Sequence, residues 1–172
     1  MHFNSVIIDP KDNNFILSFL TQSALVKIDR HTGNIIWILG GFGDEFNLLD
    51  EMKFAGQHTP LIYQSNEIVL FDNSIVFEKN VMQNRRNVSS VLHFTLDENN
   101  KKITNWKRIE LPFYAQSMGS VQITDNQTYF VSCGSNKSVG AIELDENGKE
   151  IWRLIWGKNN TTYRAYKYST LN

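Results

Sequence analysis

The chain has 172 residues, 41% of them hydrophobic, which is enough to bury a substantial core, and we predict one domain over residues 1–172. Its net charge of −1 gives no general attraction for phosphate or anionic lipid, so nucleic acid is not expected as a partner. Cys133 is the single cysteine, which excludes an intrachain disulfide and a cysteine-rich metal site. We predict no metal and no cofactor.

Targeting and membrane segments are not evident in the sequence. Residues Met1–Asp9 have no basic start and no apolar run of signal-peptide length. No segment approaches the roughly 18 apolar residues that a membrane span requires. The localisation is therefore undetermined: either the protein stays in the cell, or this chain begins downstream of its natural start.

Short apolar runs, rich in Val, Ile, Phe, Tyr and Trp and separated by Asn, Asp and Gly, recur along the whole chain. This pattern predicts strands joined by turns, and no segment has a convincing helical period, so we predict an all-β fold. The predicted strands, in chain order, are Ser5–Asp9, Phe15–Phe19, Ala24–Asp29, Ile35–Leu39, Pro60–Tyr63, Glu67–Asp72, Ser90–Leu96, Ile103–Leu111, Ser120–Thr124, Thr128–Cys133, Gly140–Asp145 and Glu150–Ile155.

These strands form a unit of four that is used three times. In each unit an aspartate ends the third strand or directly follows it and is predicted to shape a turn. The fourth strand contains a tryptophan that is predicted to pack between sheets. The pairs are Asp29 with Trp37, Asp97 with Trp106, and Asp145 with Trp152. Four antiparallel strands recurring every roughly 40 to 60 residues are typical of β-propeller blades. A twelve-stranded β-sandwich is the competing architecture, but a sandwich has no reason to repeat the Asp-turn-Trp pattern.

Three blades make only a partial propeller, because closed propellers have about four to eight. Three explanations remain open. Either an N-terminal half is missing from this chain, or a second chain closes the ring, or the blades form an open arc with exposed edges. Two long connections separate predicted strands. Residues 40–56 join units one and two, and residues 74–88 form an insertion within unit two that carries Arg85 and Arg86.

Two histidines occupy equivalent points of the repeat. His2 precedes the first strand of unit one, and His58 precedes the first strand of unit two. In a propeller the first strands line the central channel, so we predict that both imidazoles lie at one mouth of that channel, with the amides of Asn4 and Asn73 close by. Imidazole and amide donors can hold the oxygens of a small anion or its ester without a metal.

Six motifs in order resemble the bacterial arylsulfate sulfotransferases. They are His-x-Asn-Ser before a strand, Asp-Arg-x-Thr-Gly-x-Ile-x-Trp-Ile-Leu-Gly, Gln-His-Thr, Phe-Asp-Asn, Phe-Tyr, and Thr-x-Tyr-Arg-Ala. They stand at His2–Ser5, Asp29–Gly40, Gln57–Thr59, Phe71–Asn73, Phe113–Tyr114 and Thr161–Ala165. The resemblance covers nearly the whole chain.

The resemblance implies the C-terminal half of a six-bladed propeller that transfers a sulfuryl group from a phenolic sulfate ester to a phenol, without a nucleotide donor. In that family one histidine is transiently sulfated, while two other histidines and an arginine hold the sulfate and handle the phenol proton. His2 and His58 match the two supporting histidines and are the predicted catalytic residues. The predicted substrate-binding residues are Asn4, Thr59, Asn73, Arg86 and Thr161. The family resemblance also suggests a periplasmic or exported protein.

Two positions depart from the family pattern. Ser90 stands where the family arginine is expected, with Arg85 or Arg86 as the nearest substitutes, and no histidine occurs in Ser132–Gly140, where the sulfated one belongs. The two-step reaction then requires His58, His2 or Cys133 as the nucleophile. Three functions follow: a sulfotransferase-like enzyme, an inactive propeller that binds a small anion or aryl ligand, and a structural interaction propeller.

Overall fold

The computed structural model describes residues 2–78, 81–157 and 160–168, and in these residues every regular element is a β-strand. The strands are β1 (Phe3–Ile8), β2 (Phe15–Phe19), β3 (Ala24–Ile28), β4 (Ile35–Gly40), β5 (His58–Tyr63), β6 (Glu67–Asp72), β7 (Ile75–Glu78), β8 (Val81–Asn84), β9 (Ser90–Asp97), β10 (Lys102–Glu110), β11 (Ser120–Ile123), β12 (Tyr129–Ser132), β13 (Val139–Leu144) and β14 (Glu150–Ile155). The predicted all-β fold is confirmed, and the predicted strands agree with the observed ones to within two residues at their ends.

The strands form three four-stranded antiparallel sheets and one two-stranded hairpin. The N-terminal sheet contains β1–β4, the central sheet contains β5, β6, β9 and β10, and the C-terminal sheet contains β11–β14, each with its strands side by side in chain order. The hairpin β7–β8 lies within the connection at residues 74–88, where the sequence predicted only an insertion. The described residues contain no helix long and apolar enough to cross a membrane.

The aspartates that end the third strands do shape turns, as predicted. Asp29 Oδ1 accepts hydrogen bonds from the backbone N–H groups of His31 and Thr32, at 2.9 and 2.7 Å. Asp145 Oδ1 does the same for Asn147 and Lys149, at 2.9 and 2.8 Å. A short carboxylate that binds its own following backbone favours a tight reversal, so these residues fix the hairpins.

The central sheet is buried on both faces. Because side chains alternate along a strand, Ile68 and Leu70 of β6 point toward the N-terminal sheet, where they join a core with Trp37. Val69 and Phe71 point the other way and form a second core with the C-terminal sheet. The three sheets are therefore stacked face to face, with one hydrophobic core on each side of the central sheet.

The two outer sheets keep one apolar face exposed. On the N-terminal sheet this face carries Val6, Ile8 and Ile35, and on the C-terminal sheet it carries Trp152 and Leu154. Within the described residues Trp152 does not pack between sheets as predicted, because its side chain lies on the free face of the C-terminal sheet and is 45% exposed. The matching tryptophans face a neighbouring sheet: Trp37 is fully buried and Trp106 packs against the same core.

The first strand of each sheet lies next to the first strand of the following sheet. β1 contacts β5, and β5 contacts β11. Side chains reinforce both junctions: Asn4 Nδ2 donates to the Gln57 carbonyl at 2.7 Å, and Thr59 Oγ1 donates to the Gly119 carbonyl at 3.0 Å. This arrangement brings the start of β1, the start of β5 and the loop before β11 (residues 111–119) into one region.

Candidate active site

A cavity of about 300 Å³ lies where the first strands converge. Its volume is at the lower end of the range for small-molecule sites, about 300–1,000 Å³. Both predicted histidines line it. The lining residues are His2, Leu20, Gly56, His58, Ile75, Phe77, Met82, Gln116 and Ser117. The cavity is mostly apolar, and its polar side chains are two imidazoles, the amide of Gln116 and the hydroxyl of Ser117.

The hairpin β7–β8 forms the apolar wall of this cavity. Ile75 and Phe77 come from β7 and Met82 from β8. Gln116 Nε2 contacts Met82 Sδ at 3.5 Å, and Tyr114 Oη donates to Asn84 Oδ1 at 2.6 Å. The loop before β11 therefore holds the hairpin in place through two side chains that contact β8. An element that the sequence did not predict thus supplies the surface that an aromatic ring could contact.

The ring of His58 is held in one orientation. The side chain is only 7% exposed, and Nδ1 lies 2.7 Å from Asn73 Oδ1 and 3.2 Å from the Gly56 carbonyl. Asn73 Nδ2 donates to the Ala115 and Met118 carbonyls at 2.8 and 3.0 Å, which assigns its Oδ1 as the atom facing the imidazole. Both partners of Nδ1 are acceptors, so this network places the proton on Nδ1 and leaves the Nε2 lone pair free.

The surroundings of His58 favour its neutral form. Burial lowers the pKa of His58 below the ordinary value of 6.5, and the hydrogen bonds to Asn73 and Gly56 oppose this shift without cancelling it. Electrostatic interactions with His2 and Arg164 lower the pKa of His58 further. At neutral pH, His58 is therefore an uncharged imidazole, the form that can act as a nucleophile or as a base.

The backbone on either side of His58 is also fixed. β5 carries a bulge between His58 and Leu61, and within it Thr59 has φ of 44°, a conformation rare for a β-branched residue. Gln57 Nε2 donates to Ser18 Oγ and to the Ala24 carbonyl, at 3.0 and 3.1 Å, which ties the segment to the N-terminal sheet. The bulge and these bonds set the direction in which the imidazole leaves the strand.

His2 occupies a more open part of the same cavity. Its side chain is exposed, while its backbone N–H donates to Thr21 Oγ1 at 3.2 Å and its carbonyl accepts from the Leu20 N–H at 2.8 Å. The prediction that the repeat brings His2 and His58 together thus has a geometric basis, because the two residues line one cavity.

The predicted substrate-binding residues do not line this cavity. Asn4 and Thr59 bind backbone carbonyls of neighbouring sheets, and Thr161 is exposed at the beginning of the C-terminal segment. Arg86 does not line the cavity; its Nη2 donates to the Asp50 carbonyl at 3.1 Å. This hydrogen bond directs the guanidinium toward the connection at residues 40–56.

Ser90, the residue in the place of the family arginine, is hydrogen-bonded to both members of a buried ion pair. Arg108 of β10 reaches across β9, where its Nη1 lies 2.7 Å from Asp72 Oδ2 and also binds Ser90 Oγ. Asp72 Oδ1 in turn accepts the N–H groups of Ala55 and Ser74, both at 2.9 Å. This network fixes the end of β6 directly before Asn73, and so supports the residue that orients His58.

Cys133 is not suited to nucleophilic chemistry. It is fully buried in the core between the central and C-terminal sheets, and burial raises its pKa to about 12. Since the thiolate is the reactive form, we expect Cys133 to react with iodoacetamide at pH 8 only after unfolding. Mass spectrometry of the folded protein and of protein in urea checks this; rapid alkylation of the folded protein would contradict it.

One acidic cluster in the described residues has the spacing of a metal site but is already neutralised. Asp9, Asp12 and Glu98 each offer a carboxylate oxygen, and all three surround Lys27 Nζ at 2.6, 2.8 and 2.8 Å. The ammonium group occupies the centre that an ion would need. This cluster therefore links the N-terminal and central sheets and has a structural role.

A known protein family matches nearly the whole chain. The model of the arylsulfotransferase (ASST) family matches residues 1–167, so nearly the whole chain is covered and the chain belongs to this family. A search of curated protein sequences finds no match.

Proposed function

We propose that this chain transfers a sulfuryl group from a phenolic sulfate ester to a phenol. The observation that carries this proposal is the state of His58: its Nδ1–H donates to Asn73, its ring is neutral, and its Nε2 is free at a cavity that His2 also lines. The apolar wall from the hairpin β7–β8 suits a phenyl ring. Membership of the arylsulfotransferase family supports the same chemistry.

In the proposed reaction His58 is the nucleophile. Its Nε2 forms a bond to the sulfur of the donor ester, the bond from sulfur to the aryl oxygen breaks, and the leaving phenolate takes a proton from His2. The acceptor phenol then returns a proton to His2, its oxygen attacks the sulfur, and the bond from Nε2 to sulfur breaks. The reaction consumes no cofactor, because the donor ester supplies the transferred group.

We also propose that the three sheets are consecutive blades of a six-bladed propeller. The face-to-face stacking of the sheets and the sequence of contacts from β1 to β5 to β11 support this geometry. Further blades would cover the free faces at Ile35 and Trp152, from another part of a longer chain or from a second chain. Light scattering tests whether a second chain supplies these blades, because two associated copies would have twice the mass of one chain.

The reaction is tested by mixing the protein with a chromogenic aryl sulfate and a phenol acceptor. We expect sulfated acceptor and coloured phenol to form in equal amounts. Release of the coloured phenol without sulfated acceptor would indicate simple hydrolysis and would contradict the transferase proposal.

The pH dependence of this transfer follows from the lowered pKa of His58. Protonation of Nε2 removes the nucleophile, so the rate should fall as the pH decreases through the pKa of His58. Because that pKa lies below 6.5, we expect the acidic half-point of kcat/KM below pH 6.5. A half-point clearly above this value would exclude His58 as the titrating nucleophile.

A binding function is the second candidate. It is supported by Ser90 at the position of the family arginine and by the absence of histidine from Ser132–Gly140. Such a protein would retain the cavity and lose the chemistry. We would then expect an aryl sulfate to raise the melting temperature while no phenol is released.

A further inference from the structure

A second cavity lies on the other face of the hairpin β7–β8 from the cavity that His2 and His58 line. Because side chains alternate along a strand, Val76 points away from Ile75 and Phe77, and Val76 lines this second cavity. Its volume is about 240 Å³, so it suits a ligand smaller than those that occupy sites of about 300–1,000 Å³. The function proposed above makes no use of this cavity.

The inner wall of the second cavity is apolar and closely packed. Leu48 and Phe54 are 6% and 3% exposed, and they line the cavity together with Val76. Gly40 has φ of 80°, and a Cβ at this position would lie 2.7 Å from the Phe54 ring and 2.8 Å from the Ser23 carbonyl oxygen. Glycine therefore lets Phe54 and Ser23 approach the backbone closely enough to form one continuous wall.

Two cations line the outer part of the same cavity. The side chains of Lys53 and Arg85 are 47% and 27% exposed. Lys53 Nζ and Arg85 Nη2 lie 3.1 and 3.0 Å from the same atom, Asp50 Oδ1. The two cations therefore converge on one position, which a single carboxylate oxygen occupies.

Asp50 is a group that a ligand could replace. Its side chain is 83% exposed and does not line the cavity. The hydrogen bond with Lys53 and the charges of Lys53 and Arg85 lower the pKa of Asp50, so this position favours a carboxylate. Because exposed ion pairs contribute little to stability, a carboxylate that also brings apolar surface into the cavity can displace Asp50 at small cost.

Asp44, a carboxylate that does line the cavity, is bonded to the backbone. Its Oδ1 accepts the N–H groups of Gly40 and Phe46 at 2.9 and 3.2 Å, and its Oδ2 accepts the N–H of Leu48 at 2.7 Å. These three donors offset the charge of Asp44, which shapes the connection at residues 40–56. In the described part of the chain, the ion pairs of both cavity cations are made with Asp50 and not with Asp44.

We propose that this second cavity binds a small aliphatic carboxylic acid, whose carboxylate takes the place of the Asp50 carboxylate between Lys53 and Arg85. The hydrocarbon part of the acid contacts Phe54 and Val76 and leaves water, while the carboxylate accepts charge-assisted hydrogen bonds from the two cations. The small volume favours an aliphatic acid over an aromatic one. This site does not depend on the sulfuryl transfer proposed above.

The test is a titration of the full chain with isovalerate, followed by NMR through the backbone amide signals of Gly40 and Gly41, which line the cavity. We expect Arg85→Gln to weaken binding about fivefold, the size expected for the loss of one partly exposed ion pair. Asp50→Asn should strengthen binding, because it removes the competing carboxylate. Arg30→Gln is the matched control, because Arg30 is an exposed cation that lies over Phe15, and it should leave binding unchanged.

Isoamyl alcohol is the matched control ligand, because it has the same hydrocarbon part and no carboxylate, and we expect it to bind more weakly than isovalerate. Equal affinities of the wild type and Arg85→Gln for isovalerate would overturn the proposal, as would weaker binding by Asp50→Asn. Unchanged signals of Gly40 and Gly41 in the wild type at millimolar isovalerate would also overturn it. None of these measurements uses the sulfuryl transfer reaction, so their failure leaves the proposed function unaffected.

Discussion

Replacing Lys27 by methionine is expected to lower the free energy of unfolding by about 3–5 kcal/mol. Lys27 is 0% exposed, and its ammonium lies within 2.8 Å of carboxylate oxygens of Asp9, Asp12 and Glu98. Burial alone would lower its pKa, but hydrogen bonds with these carboxylates raise the pKa instead, so Lys27 stays charged. Methionine fills the space and leaves the buried Asp9 carboxylate without its cation, which is the costly state.

Urea denaturation of the two proteins measures this loss. The matched control is Lys53→Met, because Lys53 is half-exposed and pairs with the exposed carboxylate of Asp50. That substitution should leave the midpoint of unfolding unchanged, since exposed ion pairs contribute little to stability. Equal midpoints for Lys27→Met and Lys53→Met would show that the Lys27 cluster does not hold the N-terminal and central sheets together.

Replacing His58 by alanine is expected to reduce sulfuryl transfer at least about a thousandfold, because removal of a nucleophile eliminates the covalent route. The pocket wall and His2 remain, so binding of the aryl sulfate should change much less than kcat. Steady-state kinetics with a chromogenic donor measure both quantities.

The control for His58 is His31→Ala. His31 lies exposed in the turn after β3, and only its backbone N–H is used, by Asp29. This variant should keep the wild-type rate. A His58→Ala protein that retains transfer within tenfold of the wild type, with His31→Ala unchanged, would contradict the role of His58.

The strands were predictable because their signals are local. Alternating Val, Ile and Phe residues bounded by Asp, Asn and Gly determine each strand and its turn, and the Asp29 and Asp145 turns form as expected. The hairpin β7–β8 has a weaker sequence signal, because Ile75–Glu78 begins with three apolar residues but Val81–Asn84 contains only two. The hairpin lies between β6 and β9, the second and third strands of unit two, where the four-strand repeat has no equivalent, so the repeat predicts an insertion there.

The site was predictable only in part, for a physical reason. The repeat placed His2 and His58 at equivalent strand starts, and from that equivalence the common cavity followed. The roles of Lys27 and Arg108 were not readable, because a cation within a strand looks solvent-exposed until its distant carboxylates are known.

The most direct test of the role of His58 is to quench a reaction of the protein with an aryl sulfate in the absence of acceptor, digest it, and determine the masses of its histidine peptides. The peptide that contains His58 should gain one sulfuryl group, and addition of a phenol before quenching should remove it. Coloured phenol released in an amount equal to the protein, with no sulfuryl group on the His58 peptide, would contradict the proposed nucleophile.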